Sequence, residues 1–252
     1  MLQQNETTIL APPPPLDLRG NALFLDLDGT LVDFAARPEQ VVASDGLRQA
    51  LISLSREMNG AVALITGRTI ASADAVLEGA LTNIAGIHGI ERRTGKTIER
   101  ASTATAPIQA ALADARALIA KGALQADIED KGLALALHYR HAPEFAEATH
   151  RASSDIAQRH GLSILEGKMV VELTLGQRTK ADAVTAFMAT TPFANRQPIA
   201  VGDDITDEDA FRAVAKLGGH SILVGAPRDT AARYGLADTR AVFIWLKAGL
   251  AS

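Results

Sequence analysis

The run Ala22-Leu-Phe-Leu-Asp26-Leu-Asp28-Gly29-Thr30 is an apolar stretch that ends in two carboxylates one residue apart and then a glycine. Alternate residues of a strand share a face, so a strand end can aim Asp26 and Asp28 into one pocket. Gly29 lets the backbone turn away tightly. Such a pair suits phosphoryl transfer: one carboxylate attacks phosphorus, the other exchanges a proton with the leaving group, and a divalent metal neutralises the crowded negative charge. The same residues also make an ordinary strand-to-turn exit, since Asp, Gly and Thr are common in turns. The rest of the chain has to decide.

Three later segments bear on that choice. The apolar run Ala61-Val-Ala-Leu-Ile65 leads into Thr66-Gly67-Arg68, where Thr66 can donate to a phosphate oxygen or cap the following helix, two compatible roles. Lys180 opens a helix after a polar turn; a lone lysine is usually a solvated surface charge. The run Ile199-Ala-Val-Gly202 precedes Asp203, Asp204, Asp207, Glu208 and Asp209, five carboxylates within seven residues. They are costly to hold together unless a cation or lysine compensates them, although Glu208 and Asp209 also suit a first helical turn.

Taken in order, Asp26-Leu-Asp-Gly-Thr, Thr66-Gly-Arg, Lys180 and Gly202-Asp-Asp resemble the four motifs of the haloacid dehalogenase (HAD) superfamily of phosphatases. Gly202 to Phe211, Gly86-Ile-His-Gly89 with Glu91, and Glu166-Gly-Lys-Met-Val-Val-Glu172 are similar to trehalose-6-phosphate phosphatases. The resemblance implies an α/β fold, a HAD-like Rossmannoid parallel-sheet core with an inserted α/β cap. It implies Asp26 as nucleophile forming an aspartyl-phosphate, and Asp28 as general acid and then general base. Thr66 and Lys180 would hold phosphate oxygens. Magnesium (Mg2+) would be held by the Asp26 carboxylate, the Asp28 carbonyl and Asp203, with Asp204 and Asp207 in support. The implied reaction is hydrolysis of trehalose 6-phosphate to trehalose and phosphate in trehalose biosynthesis. Alternatives are a sucrose-phosphate or mannosyl-phosphoglycerate type phosphatase, or a non-catalytic sugar-phosphate-binding protein. Ala181 departs from the family pattern, where many relatives have glycine after the lysine.

Composition agrees with an enzyme of this kind: 252 residues, 47% of them hydrophobic, allow a sizeable core. A net charge of −4 with no basic cluster argues against nucleic acid and anionic membranes. The absence of cysteine excludes disulfides, thiol catalysis and thiolate metal sites. No apolar run is long enough to span a bilayer, and the N-terminus lacks a signal-peptide pattern. A cytoplasmic monomer acting on a small-molecule sugar phosphate is expected.

Pro12 to Pro15 can neither continue a helix nor pair in a sheet, so residues 1–18 are expected to be a flexible tail. From residue 21 the pattern alternates: strands over 22–26, 61–66, 83–88, 199–202, 221–224 and 241–244, and helices over 45–58, 71–79, 180–188 and 207–215. This is βαβ logic, with a parallel sheet and the site at strand C-termini. It predicts a core of 19–92 and 179–252, interrupted by a cap of 93–178. Within that insert, Ile108, Leu112, Ala115 and Ile119 form one helical stripe, and Phe145, Ala148, Ala152 and Ile156 another. In 133–140 the odd residues share one face and Ala134, Ala136, His138 and Arg140 the other, with Lys131-Gly132 as the hairpin turn. Read as one strand, 166–175 places Glu166, Lys168 and Glu172 in a polar row opposite Met169, Val171 and Leu173. Plain solvent exposure explains such a row as well, but with a catalytic core it suits a lid that grips sugar hydroxyls. This position matches the family's sugar-binding lysine and glutamates. Gly67, Arg68, His88, Arg92, His138 and Arg140 complete the candidate substrate-binding set. Arg92, His138 and Arg140 read equally as structural or exposed, and His88 more simply as a strand-end histidine shaping the core-to-cap crossing.

Overall fold

Strands apolar at every position need cover on both faces, and alternation with helices provides it. The structure, a computed structural model, describes residues 10–35, 38–176 and 178–251. Its elements are β1 (Asn21–Leu25), α1 (Asp45–Glu57), β2 (Val62–Ile65), α2 (Ile70–Leu77), β3 (Ile84–Gly86), β4 (Glu91–Thr94) and β5 (Thr97–Arg100). There follow α3 (Ala106–Ala120), β6 (Asp127–Asp130), β7 (Ala134–His138), α4 (Ala146–His160), β8 (Ser163–Gly167) and β9 (Val170–Thr174). The chain ends with α5 (Lys180–Met188), β10 (Gln197–Gly202), α6 (Asp207–Lys216), β11 (His220–Val224), β12 (Tyr234–Leu236) and α7 (Thr239–Leu250). Two compact units result: the residues up to Ile98 together with Thr179 onward, and Glu99–Arg178.

The larger sheet has the order β12-β11-β10-β1-β2-β3-β4-β5, parallel from β12 to β3 and antiparallel at β4. β1 lies between β10 and β2, with Leu25 level with Val201 on one side and Leu64 on the other. The residues that follow these three strands therefore leave one edge of the sheet together, the edge where ligands bind in open parallel sheets. Beneath it, Phe24 stacks on Phe193 with ring centroids 5.5 Å apart, and Phe187 lies 5.0 Å from Phe193. No helix among the described residues is long and apolar enough to cross a membrane.

In the second unit, the sheet β6-β7-β9-β8 is antiparallel throughout. Leu135, Leu137 and Leu173 pack on one face against Ile108, Ala111, Leu112 and Ala115 of α3 and Ile156 and Ala157 of α4.

Four expectations need correction. From Leu10 the proline-rich segment is packed, not loose: Ala11 O accepts from Gly235 N (3.0 Å), Pro14 O accepts from Trp245 Nε1 (2.9 Å), and Leu16 is buried. Proline has no N–H, but its carbonyl still accepts, which is how the segment is pinned. Residues 1–9 of that expected tail lie outside the described residues. The segment 241–244 is helical within α7, because Asp238 caps the helix by accepting from Ala241 N (2.7 Å), and Val242, Trp245, Leu246 and Gly249 bury one helical face. The buried stripe of α4 is Thr149, Ser153, Ile156 and Ala157, one residue round from the expected Ala148 and Ala152. Finally, 166–175 is not one strand. It is a hairpin, β8 to β9, turning at Lys168-Met169, where Met169 takes φ 63°.

That turn matters for the polar row. Across the hairpin Glu166 pairs with Val171, and Leu165 with Glu172, so Glu166 and Glu172 lie on opposite faces. Glu166 is on the helix side, beside His150 Nδ1 of α4 at 3.2 Å. Glu172 shares its face with Ala136, Glu129 and His138.

Candidate active site

Asp26 leaves β1 almost fully buried. Lys180 reaches it from the first turn of α5, whose start is fixed by Thr179 N donating to Asp182 Oδ2 at 3.0 Å. Lys180 Nζ donates to Asp26 Oδ1 (2.7 Å) and to Asp207 Oδ1 (2.6 Å), with a side chain 3% exposed. The lysine of the sequence reading is thus a buried ion-pair member, not a surface charge.

Asp207, the first residue of α6, uses its other oxygen to accept from the backbone N–H groups of Asp203 (3.1 Å) and Asp204 (3.0 Å). Its carboxylate fits there only because residue 202 is glycine; a Cβ would fall 2.1 Å from Asp207 Cγ. Gly29, at φ 83°, plays the same part for Asp203, whose Oδ2 lies 2.3 Å from where a Cβ would stand. Carboxylate oxygens of Asp26, Asp203 and Asp207 consequently come within 4.8 Å of one another.

Three clustered carboxylates, two of them paired with the one ammonium, leave an excess of negative charge. Burial raises the Asp26 pKa well above the usual carboxylate range; the Lys180 charge opposes this, and the charges of Asp207 and Asp203 add to it. For Lys180, burial alone would lower the pKa, but Asp207 and Asp26 outweigh it and push the pKa above the ordinary lysine value. The lysine therefore stays cationic, and the uncompensated charge sits on the carboxylates. An all-oxygen donor set with surplus negative charge fits a hard divalent cation.

The second motif carboxylate faces elsewhere. Arg68 grips Asp28 in a two-pronged ion pair, Nε to Oδ2 at 2.7 Å and Nη2 to Oδ1 at 2.8 Å, while its Nη1 donates to Ser72 Oγ. Expected as a substrate contact, Arg68 is in this structure a partner of Asp28. Thr66 is buried, and its hydroxyl oxygen accepts from Arg68 N (3.2 Å). The cap of α2 is Thr69, accepting from Ser72 N (3.1 Å), so Thr66 is not occupied as a helix cap. Gly67 lies between them, half-buried.

Residues 24–240 match the family model described as trehalose-phosphatase. The chain belongs to the trehalose-phosphatase family. It is 45% identical over 222 residues to a probable trehalose-phosphate phosphatase of Sinorhizobium fredii (strain NBRC 101917 / NGR234), covering 84% of this chain and 80% of that one. It is 38% identical over 231 residues to the trehalose-6-phosphate phosphatase of Escherichia coli (strain K12), covering 90% and 85%. A haloacid dehalogenase-like hydrolase from Bacteroides thetaiotaomicron, 15% identical, superposes with a TM-score of 0.64 over 91% of this chain and 98% of that one, which shows the HAD-like fold.

In this family member the acidic run divides into distinct tasks. Asp204 Oδ1 accepts from Ile205 N (2.8 Å). Asp209 stands beside Arg212 at 3.5 Å. Glu208, expected merely to favour the first helical turn, is buried and accepts from Arg228 Nη1 (2.5 Å), Thr230 Oγ1 (2.7 Å) and Ala231 N (2.8 Å). Glu91 was named only as part of a motif; its Oε1 accepts from Ile70 N (2.6 Å) at the start of α2. His88 is buried at φ 54°, next to Ile87 at φ 47°, and their N–H groups donate to Thr66 O (3.0 Å) and Arg68 O (2.8 Å). A left-handed backbone at a β-branched residue is strained, and here it wraps the Thr66 to Arg68 loop. Arg92 lies over the Phe187 ring at 5.5 Å.

In the second unit, Glu172 is joined by a residue that the sequence reading had given only to a turn. Lys131 Nζ donates to Glu172 Oε1 (2.5 Å) and lies 3.9 Å from Glu129 Oε2, with a side chain only 4% exposed. His138 Nε2 is 3.0 Å from the same Glu129 oxygen. Burial would raise the Glu129 pKa, but the bond to His138 and the charge of Lys131 hold it below the usual range. Lys168 and Arg140 are exposed.

Proposed function

We propose that this chain is a magnesium-dependent phosphatase that hydrolyses trehalose 6-phosphate to trehalose and phosphate through an aspartyl-phosphate on Asp26. The observation that carries this reading is the group of buried Asp26, Lys180 and Asp207 with half-buried Asp203, gathered beyond the ends of β1 and β10, in a chain of the trehalose-phosphatase family. Asp26 attacks phosphorus, and the bond from phosphorus to the sugar oxygen breaks as that oxygen takes a proton from Asp28. Asp28 then removes a proton from water, whose oxygen attacks the phosphoryl group and frees Asp26. Arg68 keeps the Asp28 carboxylate oriented for both proton transfers. Lys180 and Thr66 hold phosphate oxygens. Magnesium, held by Asp26, Asp203 and the Asp28 carbonyl with Asp207 in support, supplies charge neutralisation at the phosphoryl group.

The unit Glu99–Arg178 serves as the cap that selects the substrate. Its sheet face bearing Lys131, Glu172, Glu129 and His138 has the donors and acceptors that sugar hydroxyls require. Lys168 at the hairpin tip is a further candidate. The whole reading is tested by phosphate release from trehalose 6-phosphate, sucrose 6-phosphate, glucose 6-phosphate and a mannosyl phosphoglycerate, each with magnesium and with chelator. Trehalose 6-phosphate should be preferred, and chelation should stop turnover. Preference for another sugar phosphate would overturn the substrate assignment, and full activity in chelator the metal.

Truncating Lys131 or Glu172 to alanine should lower kcat/KM for trehalose 6-phosphate about ten- to hundredfold, the value of one shielded charged hydrogen bond of roughly 1.5–3 kcal/mol. Turnover of a small aryl phosphate should change little, because remote binding energy helps only a substrate that has the remote sugar. Equal losses on both substrates would assign the pair to the folding of that unit.

A further inference from the structure

Asp203 can face Asp26 only if the short segment after β10 keeps one conformation, and its backbone is held from two sides. On one side the N–H groups of Asp203 and Asp204 donate to Asp207 Oδ2. On the other, Arg228 Nη2 donates to the carbonyl of Asp204 (2.9 Å) and, more distantly, to that of Asp203 (3.4 Å). Planar peptides leave two soft dihedrals per residue, so fixing both the N–H and the C=O of one residue leaves it little freedom. Arg228 is itself anchored, because Nη1 pairs with Glu208 Oε1 and also donates to Asp229 O (3.0 Å). Both oxygens of Glu208 are filled by the loop from Arg228 to Ala231, so this carboxylate serves the loop and not the carboxylate cluster.

We propose that Arg228, anchored by Glu208, is a positioning residue that sets the affinity of the site for its divalent cation by fixing the Asp203-Asp204 backbone. The inference rests on the magnesium reading above. Partners of this kind, which orient a ligand without touching the ion, change metal affinity by about ten- to a hundredfold when removed.

The test is a magnesium titration of chelator-treated protein followed by thermal unfolding, in parallel with phosphate release. In Arg228→Ala the magnesium midpoint should rise about tenfold or more in both measurements. At saturating magnesium kcat should recover most of its parent value, with KM for trehalose 6-phosphate close to parent. Arg228→Lys, which keeps a cation without the fork, should lie between the two, and it carries the test if Arg228→Ala does not fold. A uniform drop in unfolding temperature with an unchanged magnesium midpoint would make Arg228 a fold-stabilising residue and overturn the proposal alone. A parent protein whose unfolding and activity ignore magnesium would overturn the metal reading and this proposal together.

Discussion

Asp26→Asn should remove turnover, on the order of ten-thousandfold or more, because an amide cannot take the place of an attacking carboxylate and residues acting as one unit fail together. The variant should nevertheless fold. Asp26 shares Lys180 with Asp207 and lies close to Asp203, and its pKa is raised by burial first and by Asp207 and Asp203 in addition. A folded-state pKa above the unfolded value means that the stability contribution is complete below the ordinary Asp value near 3.8 and is lost as pH rises through the raised value. The parent in chelator should therefore lose stability on going from pH 5 to pH 8 more than Asp26→Asn does. Phosphate release with magnesium and thermal unfolding in chelator at both pH values check the two halves. Near-parent turnover by a folded variant would dismiss Asp26 as nucleophile; an unfolded variant would mean that the carboxylate is structural.

Lys180→Met should be the most damaging single change to the folded state. The lysine is the shared partner of two buried carboxylates, and removing one member of a buried ion pair costs about 3–5 kcal/mol. The loss should be largest at pH 8, where Asp26 must stay charged or take up a proton against the solution, and smaller at pH 5. Magnesium should restore part of it, since it replaces the missing positive charge. Urea unfolding at the two pH values, with magnesium and with chelator, measures this. With magnesium present, activity should fall by orders of magnitude at both pH values. Equal stability of parent and variant at pH 8 in chelator would mean that solvent, not Lys180, compensates the cluster.

The larger unit was readable from sequence because its strands are continuous apolar runs that stop at chemically distinctive residues: Leu25 before Asp26, Ile65 before Thr66, Gly202 before Asp203. Those stops coincide in space through parallel pairing, which βαβ alternation already implies. The misreadings share a different cause. Ala241 to Ile244 is too short to separate a helical from a strand period, and the residues that decide it, Asp238 and Trp245, act through a cap and through a contact with Pro14. The turn at Lys168-Met169 has no glycine or asparagine to mark it, so the alternation of 166–175 ran through it and put Glu166 and Glu172 on one face. Lys131 and Arg228 escaped because their partners lie 41 and 20 residues away and no local pattern links them. Arg68 was found, but its attachment to Asp28, 40 residues away, is a tertiary fact.

The placement of β1 between β2 and β10 has a consequence for how the enzyme comes into being. During synthesis β1, the strand that leads into Asp26, emerges early, yet its neighbour β10 is joined to it across a separation of 176 residues at Asn21 and Gln197. Closing so long a loop is entropically expensive and slow compared with local pairing. A nascent chain that has released Asp26, Asp28 and Thr66 still lacks Lys180, Asp203 and Asp207, whereas the antiparallel sheet of Glu99–Arg178 draws all its strands from within its own span and can form meanwhile. Assembly of the carboxylate cluster is thus a late event of folding, and a fragment that stops short of residue 180 carries Asp26 without the lysine and the two carboxylates that surround it.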